Sequence, residues 1–257
     1  MREFLEDAHK HQDSGAGRAE ASAKRELPKR FYKKVSVEDA EGGYAVLLDG
    51  RPIKTPGRLQ VVLPKRPLAD LVAAEWDAQT EFVDPMTMPA LRLLNSALEG
   101  GTASVSALQD EIIKYAGNDL LLYRADTPRE LVAAQEAAWD AMLVALAREF
   151  GVKFQPTVGI IHQSQPKDTL DKLSELVGPE DHFALTAMMS ITGLSGSGLL
   201  AIALRRNLVD PEDAWKAAHV DEDHNIRLWG ADPEAEARRA KRREEFDAAV
   251  TVLDLLD

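Results

Sequence analysis

Hydrophobic and polar positions alternate with a period of two only in the first quarter of the chain. Val35 and Val37 alternate with polar residues, Gly42-Gly43 marks a turn, and Tyr44, Val46 and Leu48 alternate across YAVLLDG. That period predicts strands, because successive side chains of a strand point to opposite faces. Asp49-Gly50 predicts a hairpin turn, since both residues tolerate positive φ. A short segment from Pro52 to Lys54, a Thr55-Pro56-Gly57 turn and a strand over Leu59 to Leu63 complete an expected antiparallel meander of three or four strands within 31–63.

From Pro67 the period changes to that of a helix. PLADLVAAEWDAQ places Leu68, Leu71, Val72, Glu75, Trp76 and Gln79 on one side, so this helix is expected to pack on the sheet. The proline-punctuated link FVDPMTMP follows, and past it no strand pattern is expected. Helices are expected over Pro89 to Leu98, Val105 to Tyr115 and Asp168 to Val177. The clearest helix has Thr127 as its cap, Pro128 as its first residue, Glu130 closing a capping box and Gly151 as its stop. Leu131, Gln135, Ala138, Met142 and Leu146 fill one face of it, with Trp139, Leu143 and Phe150 beside them. DLLLYRAD, 119–126, fits an extended connection or a helical turn equally well. The fold class is therefore α+β, a small N-terminal antiparallel β-rich domain followed by an all-helical, orthogonal bundle-like one. The expected division is a tail over 1–27, a β-rich unit with one packed helix over 28–86, and a helical unit over 87–257.

Two stretches break the regular pattern. Phe183 to Leu204 holds no charged residue and is long enough to span a membrane. Its serines, threonines and glycines at 193, 196 and 198 instead predict two buried helices meeting at a Gly/Ser corner. The corner lacks the Lys-Ser of a phosphate loop, because Leu199 follows its last glycine. It also lacks the last glycine of a nucleophile elbow, where Ser197 stands. The second stretch, Asp210 to Asp232, reads as one helix, capped by Asp210, opened by Pro211 and stopped by Gly230. At 100° per residue, Trp215, His219, Glu222, Ile226 and Trp229 fall within roughly 40° of one direction, which puts a histidine and a carboxylate inside an apolar stripe. The last helix, from Pro233 to about Leu255, repeats the Asp-Pro-Glu start and carries a basic run over 238–243.

His219, Glu222, Asp223 and His224 are the only dense cluster of histidine and carboxylate. His219 with Glu222 or Asp223 has the spacing to share a metal, but His224 points away and no second Glu-x-x-His helix exists. An alternative reading follows, a metal-dependent or acid/base hydrolase centred on His219 and Glu222. The chain of 257 residues carries a formal net charge of −12, which argues against nucleic acid or an anionic membrane as partner despite the basic runs at 24–34 and 238–243. It has no cysteine, which excludes disulfides, thiolate catalysis and thiolate metal sites. The first 26 residues have no apolar core and contain Glu3, Glu6 and Asp7, unlike an export signal or a mitochondrial presequence, so a bacterial cytoplasmic protein is expected.

RFYKKVSV, LLDGRPIKTP, LADLVAAEWDAQ, the TMP before Ala90, DLLLYRA, LVAAQEAAWD and AWKAAHVDEDHNIRLWGAD occur here in one order, over roughly 28–254. In this the sequence resembles the assembly-chaperone family of the ATP synthase catalytic head, the member that binds the α subunit. The resemblance implies a non-enzymatic chaperone without a cofactor, which holds the unassembled α subunit, prevents its aggregation and hands it on to α/β assembly; a monomer is expected. The family's important acidic position falls on Glu222. The next residue, often aromatic in the family, is Asp223 here. Candidate partner-binding residues are Glu222, Asp223, Trp229, Arg227 and Trp215; the mate of Glu222 is expected to be a basic group of the partner or, internally, Arg124 or His219.

Overall fold

Two strands, β1 (Val35–Ala40) and β2 (Gly43–Leu48), pair in the hairpin that the alternation predicts. In this computed structural model, which describes residues 27–257, the sheet is not a simple meander. β3 (Arg51–Pro52) and β4 (Val62–Leu63) both pair with β2 on its second edge, one at each end, so β2 is the central strand. The strand expected over Leu59 to Leu63 is correspondingly shortened, because Arg58 takes positive φ and Leu59 is turned into solvent. Gly43 is what allows β4 to close on β2: a Cβ there would lie 2.1 Å from the Leu63 carbonyl oxygen.

Helix α1 (Arg66–Asp77) lies across β1 and β2 with Leu68, Ala69 and Val72 buried. Glu75, the acid on its apolar side, accepts the amides of Ala90 and Leu91 at 2.8 and 2.7 Å. These are free donors of the first turn of α2 (Pro89–Gly100), so a side chain of α1 caps the next helix across the proline-rich link. Burial raises the Glu75 carboxyl, while those two backbone donors and Arg92 pull it back.

After α2 come α3 (Val105–Gly117), α4 (Arg129–Phe150), α5 (Lys167–Val177), α6 (His182–Ser195), α7 (Gly198–Arg205), α8 (Pro211–Ala218), α9 (Val220–Trp229) and α10 (Pro233–Leu256). The uncharged run is the centre of the bundle. α6 touches α2, α3, α7 and α10 and is apolar on all sides, as a helix surrounded by others must be. Gly196 ends it in the left-handed region, and Ser197 caps α7 through the Leu200 amide. The hydroxyls of Thr192 and Ser195 are satisfied by carbonyls one turn back, Met188 and Ile191. Among the described residues, no helix is long and apolar enough to cross a membrane. One buried cluster runs from Val46, Leu63 and Leu68 through Met88 and Leu94 to Leu185 and Phe246.

Three expectations need correction. α4 starts at Arg129 with Pro128 at the cap position and no side-chain cap, so Thr127 and Glu130 build no capping box. Its buried face is Gln135, Trp139, Leu143, Leu146 and Phe150, while Ala138 and Met142 line an open groove beside α8. Strand structure also returns after residue 90. The 119–126 segment makes a tight turn over Leu120–Leu122 and then β5 (Tyr123–Arg124), which pairs in parallel with β6 (Thr157–Val158). The tail over 1–26 lies outside the described residues.

Candidate functional site

The helix expected from Asp210 to Asp232 is two helices, broken at His219. Asp210 does cap α8, accepting the Glu212 amide at 2.9 Å, but the backbone leaves the helical region at His219, with φ −120° and ψ 16°. There the His219 amide bonds the Lys216 carbonyl three residues back, which frees the Trp215 carbonyl. The imidazole Nδ1–H donates to that carbonyl at 2.7 Å, so the side chain replaces the bond the backbone gave up. Burial holds the His219 pKa below its usual value, and the ring is neutral at pH 7. The ring lies 3.9 Å from Trp215, which in turn packs edge-on to Phe246 of α10.

The break also splits the apolar stripe. Trp215 is turned inward and buried beneath the site, whereas Trp229 is 83% exposed, so the two do not flank Glu222 as anchors. Between them the acids of α8 and α9 meet the basic run of α10. Both oxygens of Glu222 lie within 3.1 and 2.9 Å of Arg242 Nη2, Asp223 pairs with Arg239, and Glu212 pairs with Arg243 at 2.7 Å. Arg243 also lies over the Trp215 ring, 5.4 Å from its centre. The internal mate of Glu222 is therefore Arg242. Arg124 is engaged elsewhere, by Asp140 at 2.6 Å and the Gln135 carbonyl, and it stacks on Trp139. His219 Nε2 is 3.8 Å from Glu222, beyond hydrogen-bond distance.

The three acid–arginine pairs fix α8 and α9 against α10 and leave a groove of about 400 Å³ at the far end. Glu222, Asn225, Ile226, Trp229, Ala235 and Arg239 line it. Leu228 is exposed beside Trp229, and Arg227, also exposed, makes no ion pair among the described residues. Such a groove offers an aromatic surface and a carboxylate already held in place. His224 is buried, with Nε2 unpaired among the described residues, and does not reach the groove. Among the described residues, no group of three or more histidines and carboxylates is placed to hold a metal.

One carboxyl that periodicity does not single out is Asp119. It is fully buried and binds two amides far apart in the chain, Leu121 at 3.1 Å and Leu199 at 2.9 Å. The second belongs to the first turn of α7, so Asp119 and Ser197 together hold the start of that helix. Burial pushes its carboxyl up to about 7, against the opposing pull of these donors. The local signal is only an acid before a tight turn; its distant partner leaves no mark in the sequence.

Comparison with known proteins gives a consistent result. The profile of the ATP12 chaperone protein family matches residues 29–147. The chain is 22% identical over 215 residues to the mitochondrial protein atp12 of Schizosaccharomyces pombe, covering 79% of this chain and 74% of that one. The crystal structure of Atp12 from Paracoccus denitrificans superposes with a TM-score of 0.82 at 37% identity, over 90% of this chain and 99% of that one. A crystal structure from Agrobacterium tumefaciens, described as that of a candidate chaperone, gives a TM-score of 0.87 at 40% identity, over 96% and 93%.

Proposed function

The chain belongs to the ATP12 chaperone family, whose members serve ATP synthase assembly, and on that premise we propose that its client is the unassembled α subunit of the catalytic head. Binding shields the client's exposed interface from aggregation until α/β assembly takes it over. The single observation that supports a place for this contact is Trp229, a large aromatic side chain left 83% in water at the mouth of a groove. Aromatic anchors of this kind dominate protein interfaces.

In this reading Trp229 and Ile226 supply the apolar contact, and Arg227 offers a charge. Glu222 and Asp223 act through α10: their arginine partners hold the groove open in one shape, and Glu222 accepts a donor from the client on its exposed side. Trp215 supports the groove from beneath. We further propose that the 28–86 and 87–257 units act as one monomeric binding surface, without a cofactor, in a bacterial cytoplasm.

The test is a mixture of purified chain and α subunit. The expected result is a stable complex and suppressed α aggregation with no hydrolysis of nucleotide; failure of both sinks the proposal. Trp229→Ala is expected to weaken the complex at least about tenfold, as loss of a central aromatic anchor does, while leaving the melting temperature of the free chain unchanged. Undiminished binding by that variant removes the groove from the interface but not the client.

A further inference from the structure

The groove between α9 and α10 is rich in acceptors and poor in free donors. Three carboxylates line it, Glu222, Asp232 and Glu236, together with one guanidinium, Arg239. Arg239 is matched by Asp223, and Glu222 by Arg242. Arg238, next to Arg239 in α10, pairs with Glu234. Arg227 and Lys241, cations nearby in sequence, are not among the residues that line the groove. Asp232 and Glu236 have no counter-ion among the described residues, so two carboxylates remain in excess once every pair is counted.

The backbone adds acceptors of its own. The Gly230 amide bonds the Ile226 carbonyl, and no later amide turns back to the carbonyls of Arg227, Leu228 or Trp229 among the described residues. The negative end of α9 therefore lies at Gly230, which is part of the groove lining. The first turn of α10 offers little in return. Its Glu234 amide is spent on Asp232 Oδ1 at 3.1 Å and its Glu236 amide on the Asp232 carbonyl.

Trp229 supplies a third feature, because the face of an exposed indole attracts a cation. Excess carboxylate, open carbonyls and an indole face together select a flat cation with many donors. A lysine ammonium meets the charge but is compact and strongly hydrated, whereas a guanidinium is planar, stacks on aromatic rings and carries five donors. An acidic segment would face unpaired acids of its own sign. On the reading of this groove as a client contact, we propose that it is a guanidinium site, which takes an arginine side chain of the client. The guanidinium lies flat on Trp229, with Glu236, Asp232 and the exposed side of Glu222 as acceptors.

The experiment uses the full chain labelled with nitrogen-15 and the blocked peptide acetyl-Gly-Arg-Gly-amide as probe. Peptides with lysine or citrulline in the central place serve as controls, since citrulline keeps the shape of arginine and loses its charge. The arginine peptide is expected to shift the Trp229 indole N–H signal saturably, that signal being assigned by its absence in Trp229→Phe. The lysine peptide should bind at least about threefold more weakly, and Glu236→Gln should weaken the arginine peptide by a similar factor, as loss of an exposed cation contact does. Glu236 is exposed and has no ion pair among the described residues, so the melting temperature of that variant should match the parent. No shift at Trp229, equal binding of arginine and either control peptide, or indifference to Glu236→Gln overturns the proposal. Glu236→Lys is also expected to weaken the α-subunit complex at least about tenfold, because like charges are then opposed. An α complex that this variant leaves unweakened overturns the assignment of the arginine to the client. A parent chain that binds the arginine peptide but forms no α complex fails the client reading and leaves the guanidinium site standing.

Discussion

The α6–α7 corner and the α8–α10 latch solve the same problem with the same side chains in different surroundings. Each joins helices that meet at an angle, and each uses carboxylates to do it. At the corner, Asp119 is fully buried, its partners are backbone amides and a serine hydroxyl, and its carboxyl is held near neutrality. In the latch, Glu222 and Arg242 keep 32% and 41% of their side-chain surface exposed, and water shares the work with the guanidinium. A buried carboxyl leaves its donors stranded when removed, whereas a half-exposed ion pair is replaced by solvent. The corner therefore governs whether the chain folds, and the latch governs how α9 and its groove are presented.

The sharpest way to break this contrast is at Gly198. A Cβ there would lie 2.5 Å from the Ile112 carbonyl oxygen and 2.8 Å from the Ala116 amide, both backbone atoms of α3. Gly198→Val is expected to cost about 3 kcal/mol or more, lowering the melting temperature by roughly 6–12 °C. Gly193→Ala, five residues earlier with nothing within 4 Å of its added carbon, should instead be neutral or stabilise by up to about 1 kcal/mol. Equal effects at the two glycines would show that close approach at the corner does not decide stability.

Asp119 sharpens the comparison through pH. Its folded pKa of about 7 lies above the ordinary carboxylate value of 3.8, so the folded chain holds the proton more tightly than the unfolded one. The stability this gives is fully present below about pH 4 and is lost as pH rises to about 7. Three pKa units amount to about 4 kcal/mol. The stability of the parent minus that of Asp119→Asn, measured by denaturant titration, is expected to fall between pH 4 and 7 and then level off. A flat difference would mean that the carboxyl is not desolvated. His219 has the opposite sign: its lowered pKa gives stability that is present above pH 6.5 and lost as pH falls.

The smallest effect is expected in the latch. A double-mutant cycle with Glu222→Gln and Arg242→Gln should give a coupling of about 0.5–1 kcal/mol, typical of a half-exposed pair. Both single variants should nonetheless weaken the proposed α-subunit complex, because α9 is then free to shift against α10. A coupling of several kcal/mol would make Glu222 a core residue like Asp119 and erase the distinction between the two regions.

How much of this was legible in the sequence varies with the range of the interaction. The β1–β2 hairpin, the helix starts at Asp210 and Asp232, and the Ser197 cap at the Gly/Ser corner rest on contacts between near neighbours, and the pattern of residues announces them. The candidate site was legible as a composition, since its histidine and acids stand out, but not as a geometry. A one-residue change at His219, where the backbone bonds back three residues instead of four, turns Trp229 away from Trp215 and voids the shared face. The Arg242 partner of Glu222 was hidden because a basic run followed by Glu244 and Glu245 looks the same whether water or another helix faces it.

By itself, then, the sequence determined the strand-then-helix order, the central apolar helix pair and the concentration of unusual chemistry between Trp215 and Trp229. Only the tertiary structure decided which acids are buried. Glu75, Asp119 and Glu222 are all carboxylates in the sequence, yet one caps a helix across the link, one is dried out beneath α7 and one pairs at the surface. The reason is physical: a carboxyl's energy is set by the donors and the water around it, and those come from segments up to 80 residues away.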